Sequence, residues 1–161
     1  MKCYYIDSFT DVLFAGNPAA VVILEKPLSK KDMQSIATEN NLSETAFLLK
    51  KSDDSYRVWF FTPTIEVDLC GHATLASAFM LFSDYHHDAT SLTLHANQDV
   101  LQLSQEETGM IVMELPIWQG VLGAVPSALK EAMGGTAPSQ MIEAEDIMLV
   151  YNSPEEIKAL S

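Results

Sequence analysis

The stretch from Cys70 to Phe82 constrains the fold of this chain more than any other, because its residues are small or apolar on every side. A helix that is apolar all round is a buried helix. The stretch is shorter than the roughly 20 apolar residues that a membrane-spanning helix needs. It therefore predicts a helix in the interior of a globular fold, from His72 to about Phe82.

Segments typical of β-strands lie on both sides of this helix, rich in β-branched and aromatic residues and bounded by turn formers. The predicted strands are 2–9, 19–24, 45–50 and 56–61 before the helix, and 91–95, 100–105 and 110–115 after it. Ser29 is a favourable N-cap for a second helix that runs to about Glu39. This order predicts an α+β domain in which a curved mixed sheet, or a barrel, wraps around one central apolar helix.

A change of pattern near residue 116 predicts a domain boundary. Beyond it we expect a short helix at 127–133, a strand at 146–151 and a helix that begins at Pro154 after the N-cap Ser153. About 45 residues are too few for a robust core of their own. We therefore expect a first domain at 1–116 and, at 117–161, a linker with the truncated start of a second domain.

The composition excludes several classes of function. The formal net charge is −13 and Arg57 is the only arginine, so a nucleic acid would be repelled. Without the usual arginine clamp, a small anionic substrate such as a carboxylate would have to be held by backbone N–H groups or by a histidine. The start of the chain lacks a signal-peptide pattern and no apolar run could cross a bilayer, so we expect a cytoplasmic protein without a membrane partner.

The cysteine and histidine patterns do not predict a metal site. Cys3 and Cys70 are the only cysteines, and they form neither a disulfide framework nor a CxxC pair. His86 and His87 are adjacent, with His95 nearby, but neighbouring residues of an extended chain point to opposite sides. We therefore expect free thiols, no metal ion and an exposed polar loop at the adjacent histidines.

Glu44 is the first candidate for chemistry, because it stands beside Ser43 at the start of a predicted apolar strand. A carboxyl group partly removed from water is easier to protonate, as proton transfer near neutral pH requires. A solvated polar turn explains the same residues, since most carboxylates are solvated. The sequence leaves both interpretations open.

The mouth of the predicted central helix is the second candidate. Gly71 would let another molecule approach the backbone closely, and the free N–H groups of the first turn would attract an anion. His72 could donate a hydrogen bond or move a proton, or it could be a capping or core residue. The same helix end would lower the pKa of the Cys70 thiol, although an inert buried thiol also explains this cysteine.

Asn17 is the third candidate. It stands between Gly16 and Pro18 and could offer its amide to a ligand, but a tight turn explains the three residues equally well. The sequence contains no phosphate-binding loop, dinucleotide-binding fingerprint or serine-hydrolase elbow, which removes most nucleotide-binding and serine-hydrolase hypotheses.

Three segments, in this order, resemble the PhzF-like (phenazine biosynthesis protein) family of isomerases. They are DSFTDVLFAGNPAAVVIL at 7–24, IATENNLSETAFL at 36–48 and VWFFTPTIEVDLCGHATLASA at 58–78. The resemblance is looser after Ala78, although the ending EDIMLVYNSPEEIKAL is similar to the beginning of the family's second domain. Family members are much longer than this chain.

The resemblance implies a fold shared with diaminopimelate epimerase, in which two similar domains each wrap a curved sheet around a helix and the active site lies between them. It implies an isomerase without a cofactor that moves a proton on a small carboxylate substrate. The glutamate of the Ser-Glu-Thr motif, here Glu44, carries the proton. Ser43, Gly71 and His72 are then expected to contact the substrate.

A two-thiol mechanism is the alternative within the same fold. Related epimerases place a catalytic thiol at the position of Cys70 and pair it with a second thiol from the other domain. Here Cys3 is the only other cysteine and lies near the start of the chain. The glutamate mechanism is therefore favoured.

Two functions follow from the sequence. The first is a PhzF-like isomerase that is incomplete in these 161 residues, because groups of the opposite domain would be absent. The second is a non-catalytic fragment that self-associates through its exposed cleft face, as a homodimer or a swapped assembly.

Overall fold

The computed structural model describes residues 1–86, 88–115, 117, 119–134, 137–144 and 146–160. The chain divides into two compact units, Met1–Leu115 and Pro116–Ser161. His87 of the predicted polar loop and Pro116 of the predicted boundary lie outside the described residues.

The first unit is built on one mixed sheet with two α-helices. Its elements are β1 (Lys2–Ser8), β2 (Asn17–Leu24), α1 (Lys30–Asn40), β3 (Glu44–Ser52), β4 (Ser55–Phe61), β5 (Glu66–Val67), α2 (Gly71–Met80), β6 (Ser91–His95), β7 (Val100–Gln105) and β8 (Ile111–Met113). The strand order is β1-β2-β3-β4-β6-β7-β8, with β5 added to β4. The β2–β3 and β4–β6 pairs are parallel and the others antiparallel, which confirms the predicted mixed sheet. The two-residue strand β5 was not predicted.

Helix α2 is the centre of this unit. It packs against β1, β2, β3 and β8, so strands from both ends of the sheet curve towards the same helix. Its alanines Ala73 and Ala76 are fully buried, and their small side chains let the strands approach closely. The buried hydroxyl groups of Thr74 and Ser77 donate to carbonyl oxygens one turn earlier, at 2.6 and 2.7 Å, which satisfies both of them inside an apolar core.

The central helix differs from its prediction in two respects. The α-helix ends at Met80, and the chain continues as a π-helical turn at Leu81–Tyr85. Phe79 is 53% exposed, so the helix is not buried on every side.

Helix α1 covers the opposite face of the sheet. Met33 and Ala37 pack there against Val22, Phe47 and other buried residues of β2, β3 and β4. Strand β2 is therefore buried on both faces, which explains why its sequence is apolar without alternation. The predicted N-cap is confirmed, because Ser29 Oγ accepts a hydrogen bond from the backbone N–H of Asp32 at 3.1 Å.

The second unit contains a small antiparallel sheet with two short helices. Its elements are β9 (Val121–Gly123), α3 (Ser127–Ala132), β10 (Gln140–Glu143), β11 (Ile147–Val150) and α4 (Pro154–Lys158). The sheet order is β11-β10-β9. The predicted α3, β11 and α4 are confirmed, with Ser153 as the N-cap of α4, whereas β9 and β10 were not predicted. All helices that the structure describes are too short or too polar to span a membrane.

Candidate active site

Four elements of the first unit bring polar residues to one end of the curved sheet. Strand β1 ends at Ser8, β2 begins at Asn17, β3 begins at Glu44 and α2 begins at Gly71. Ser8 is opposite Asn17 in the antiparallel pair, and Glu44 is aligned with Ala19 in the parallel pair. The fold thus gathers residues that are distant in sequence.

Glu44 and His72 are in close contact. Oε2 of Glu44 lies 3.1 Å from Nε2 of His72, and the two side chains are only 19% and 10% exposed. The distance suits a hydrogen bond but the alignment does not, so Nε2 has no well-directed partner among the described residues. Because this nearly buried nitrogen lacks a well-aligned partner, it can bind a ligand atom that enters the site.

Cys70 completes a three-residue group, which we call the Glu44–Cys70–His72 cluster. Its Sγ lies 3.4 Å from Nδ1 of His72. The pKa of the Cys70 thiol is raised from 9.0 to about 11, mainly by burial; the backbone N–H of Ala73 opposes the rise and the nearby Glu44 carboxylate adds to it. The predicted lowering of this pKa is therefore wrong, because desolvation outweighs the helix end.

Gly71 is the first residue of α2 and leaves space beside the cluster. A Cβ atom added to Gly71 would meet only the terminal methyl group of Met113, at an ordinary contact distance of 3.8 Å. Packing within the described residues therefore does not require glycine at this position.

Ser8 is a site residue that the sequence analysis missed. It is buried, and its hydroxyl group donates to the carbonyl oxygen of His72 at 2.7 Å. The hydrogen bond ties the end of β1 to the first turn of α2. The strand also contains Lys2 and Asp7, so the residue types alone did not distinguish Ser8 from its neighbours.

Ser43 and Asn17 lie at the same end of the sheet but outside the cluster. Ser43 is exposed just before β3, and Asn17 is half-buried. No hydrogen bond among the described side chains joins either residue to the cluster. The turn before Asn17 is tight: Gly16 has a φ of 86°, and a Cβ there would lie 2.3 Å from the Ser8 carbonyl oxygen. The tight bend is thus at Gly16, whereas Asn17 and Pro18 are the first residues of β2.

The one arginine of the chain is engaged in holding the segment that leads into α2. Arg57 donates to the carbonyl oxygen of Ala96 at 2.6 Å and to Oδ1 of Asn97 at 3.3 Å. Asn97 in turn donates to Oδ1 of Asp68 at 2.8 Å, two residues before Cys70. Arg57 therefore supports the approach to the helix mouth.

The cluster also presents a donor set that could hold a metal ion. One ligand atom each from Glu44, Cys70 and His72 lie within 4.8 Å of one another. The sequence did not predict this donor set, because its residues belong to two distant segments and form no motif with regular spacing.

The histidines considered for a metal in the sequence analysis have other partners. Nε2 of His86 lies 2.8 Å from the hydroxyl group of Tyr56, and Nε2 of His95 lies 3.0 Å from the hydroxyl group of Ser55. His86 and His95 thus make separate polar contacts.

The chain is similar to one family of known proteins. Residues 6–160 match the model of the phenazine biosynthesis-like (PhzC/PhzF) protein family. An uncharacterised isomerase from Pseudomonas aeruginosa is 39% identical over 161 residues, which cover 100% of this chain and 61% of that protein. An uncharacterised isomerase from Halalkalibacterium halodurans is 49% identical over 105 residues, covering 63% of this chain and 38% of that protein.

A solved structure supports the same relationship. The crystal structure of a PhzF-family phenazine biosynthesis protein from Enterococcus faecalis matches with a TM-score of 0.89 and 36% identity, over 99% of this chain and 60% of that one. This likeness confirms the predicted α+β fold of the epimerase-like type. The chain spans about three-fifths of the length of that protein and of the Pseudomonas relative.

Proposed function

Because the chain belongs to the phenazine biosynthesis-like (PhzC/PhzF) protein family, we propose that its first unit carries the proton-transferring part of an isomerase active site. Glu44 is the acid/base. The substrate is a small carboxylate with an acidic C–H bond, and the reaction needs no cofactor.

The contact between Glu44 and His72 is the observation that carries this proposal. A carboxylate that is 19% exposed is shielded from water on most sides, yet it can still be reached by a substrate. Proton transfer to and from carbon needs a carboxyl group that is held in position within reach of the substrate. The adjacent imidazole can donate to the substrate or to the carboxylate while the proton moves.

The substrate's own carboxylate fits the first turn of α2. The backbone N–H groups at the start of a helix and the positive end of its dipole favour an anion. Arg57 is engaged elsewhere, so main-chain groups near Gly71 are the better candidates for holding a negative charge. The open space beside Gly71 agrees with a ligand approaching the backbone there.

Cys70 is not suited to act as the base. With its pKa raised to about 11 by burial, the thiol remains protonated at neutral pH. The other cysteine, Cys3, is exposed on β1. A carboxylate mechanism is therefore favoured over a two-thiol mechanism within this chain.

Deuterium exchange tests the proposal. The chain is incubated in deuterated water with a panel of small carboxylates, at high protein concentration so that slow exchange is also detected. We expect one class of carboxylate to exchange a carbon-bound proton, and the Glu44→Gln variant to lose about 10²–10⁴-fold of that rate. Glu25→Gln is the matched control, because Glu25 is 84% exposed at the opposite end of β2. Exchange that survives in Glu44→Gln would remove Glu44 from the mechanism.

Self-association is a second candidate function, and a groove in the first unit favours it. The groove has a volume of about 740 Å³ and lies between β1, α2 and the start of β8. Leu75, Phe79 and Met110 give it an apolar lining, and Phe79 and Met110 are 53% and 65% exposed. The outer edges of β1 and β8 pair with no described strand, so a strand of a second copy could add to either edge.

Sedimentation over a range of protein concentrations tests this second candidate. We expect a concentration-dependent dimer that Phe79→Glu disrupts. Phe14→Glu is the control for charge alone, because Phe14 is 97% exposed and does not line the groove. A monomer at high concentration would exclude self-association.

A further inference from the structure

We propose that the Glu44–Cys70–His72 cluster is a binding site for a single divalent transition-metal ion, with Zn²⁺ as the preferred ion. Bound metal would occupy the carboxylate that we assign to proton transfer. Bound metal would therefore inhibit the isomerase reaction. Only this consequence rests on the proposed function.

The three donors lie close enough for one ion once the Cys70 side chain turns. Ligand atoms about 2.0–2.3 Å from Zn²⁺ in a tetrahedron lie about 3.3–3.8 Å from one another. Glu44 Oε2 lies 3.1 Å from Nε2 of His72, and one ligand atom from each of the three residues lies within 4.8 Å of the other two. Cys70 Sγ lies 3.4 Å from Nδ1, the other nitrogen of the ring, so the thiol must turn towards Nε2 to bind the same ion.

The unpartnered nitrogen of His72 is a second, independent indication of a ligand. The side chain is 10% exposed, and Nε2 has no well-aligned hydrogen bond among the described residues. A buried polar atom without a hydrogen-bond partner costs free energy. A metal bound at the imidazole removes this cost and leaves the other nitrogen free to donate.

The chemistry of the donors selects the class of ion. Thiolate and imidazole are ligands for zinc and its neighbours, whereas Mg²⁺ and Ca²⁺ take oxygen ligands. Three protein ligands leave one coordination position for water or for an anion. The net charge of −13 raises the concentration of cations near the protein.

Charge balance at the cluster is favourable once the ion is bound. Zn²⁺ displaces the thiol proton of Cys70, which leaves to solvent, and the thiolate and the Glu44 carboxylate then neutralise the two charges of the ion. The partial exposure of Glu44 provides a route of entry.

Cobalt absorption tests the site without any substrate. The chain is titrated with Co²⁺, which reports a cobalt–thiolate bond by a charge-transfer band, and Zn²⁺ is then added as competitor. We expect one Co²⁺ per chain, with a band that Zn²⁺ abolishes. Cys70→Ser should lose the band, whereas Cys3→Ser should keep it, because Cys3 is exposed and stands at the start of β1, whose other end contacts α2.

His72→Gln is the second variant, and it should also lose the band while keeping the circular dichroism of the wild type. A missing band in the wild-type chain, or a band that Cys3→Ser removes and Cys70→Ser retains, would overturn the metal site. Since no substrate is present, that result would leave the isomerase proposal intact. Deuterium exchange that persists in Glu44→Gln would overturn the isomerase proposal and leave the metal site intact.

Discussion

His72 meets the Glu44 carboxylate through Nε2 at 3.1 Å, in a contact that is short but poorly aligned. Both side chains are held by rigid elements, Glu44 by the first residue of β3 and His72 by the first turn of α2. The two side chains therefore have fixed positions, but His72 Nε2 makes no well-aligned hydrogen bond to Glu44. Such a pair is prepared for a group that arrives from outside, either a substrate or a metal ion.

Ser8 is predicted to stabilise the helix end that carries His72. Its buried hydroxyl group donates to the His72 carbonyl oxygen at 2.7 Å, so Ser8→Ala should lower the free energy of unfolding by about 1 kcal/mol. Urea denaturation measures the change. Ser35→Ala is the matched control, because the Ser35 hydroxyl group also donates to a carbonyl oxygen, at 3.0 Å, but on the exposed side of α1. Equal effects of the two substitutions would contradict a structural role for Ser8.

Gly71 is predicted to serve ligand binding rather than stability. An added methyl group would meet only Met113 at 3.8 Å, and alanine is a better helix former, so Gly71→Ala should change the free energy of unfolding by no more than about 1 kcal/mol, in the stabilising direction. Binding of a small carboxylate should nevertheless weaken, because the methyl group occupies the approach to the backbone. Urea denaturation and NMR titration of the same variant measure the two effects. Stronger carboxylate binding in Gly71→Ala would contradict the proposed anion position.

The folded protein is predicted to lose stability at alkaline pH because the pKa of the Cys70 thiol is raised on folding. Its pKa rises from 9.0 in the unfolded chain to about 11 in the folded one, mainly through burial. The folded state therefore binds the proton more tightly, so this contribution to stability is complete below pH 9 and is lost as the pH rises towards 11. Urea denaturation across this range should show a decline that is flatter in Cys70→Ala, and flatter to a smaller extent in Cys3→Ala, because burial also raises the pKa of the Cys3 thiol. A decline identical in all three proteins would assign it to other groups.

The sequence predicts the central helix and its sheet well because their signals are local. The apolar stretch after Gly71 and the N-cap Ser29 each act within a few residues, and both are found where expected. The short strands β5 and β9 were missed because two or three residues carry too little pattern. Their pairing depends on neighbours that are distant in sequence.

The candidate site could be predicted only in part, because its contacts also join residues that are distant in sequence. The resemblance to the family pointed to Glu44, His72 and the thiol of Cys70, but not to the contacts among them. Of the two interpretations of Cys70, the buried thiol agrees with the structure and the lowered pKa does not, because the burial of this side chain depends on how the whole sheet closes around α2. The role of Ser8 depends on the same closure, since its partner lies 64 residues away.

Chemical rescue of a Glu44 variant tests most directly whether this carboxylate moves the proton. Glu44→Ala removes the group and leaves a space that a small carboxylate such as formate can enter. With the substrate found by deuterium exchange, we predict that Glu44→Ala is inactive, that added formate restores exchange in Glu44→Ala, and that formate has no effect on Glu44→Gln, whose amide fills the space. Exchange at the wild-type rate in Glu44→Ala without formate would contradict the account.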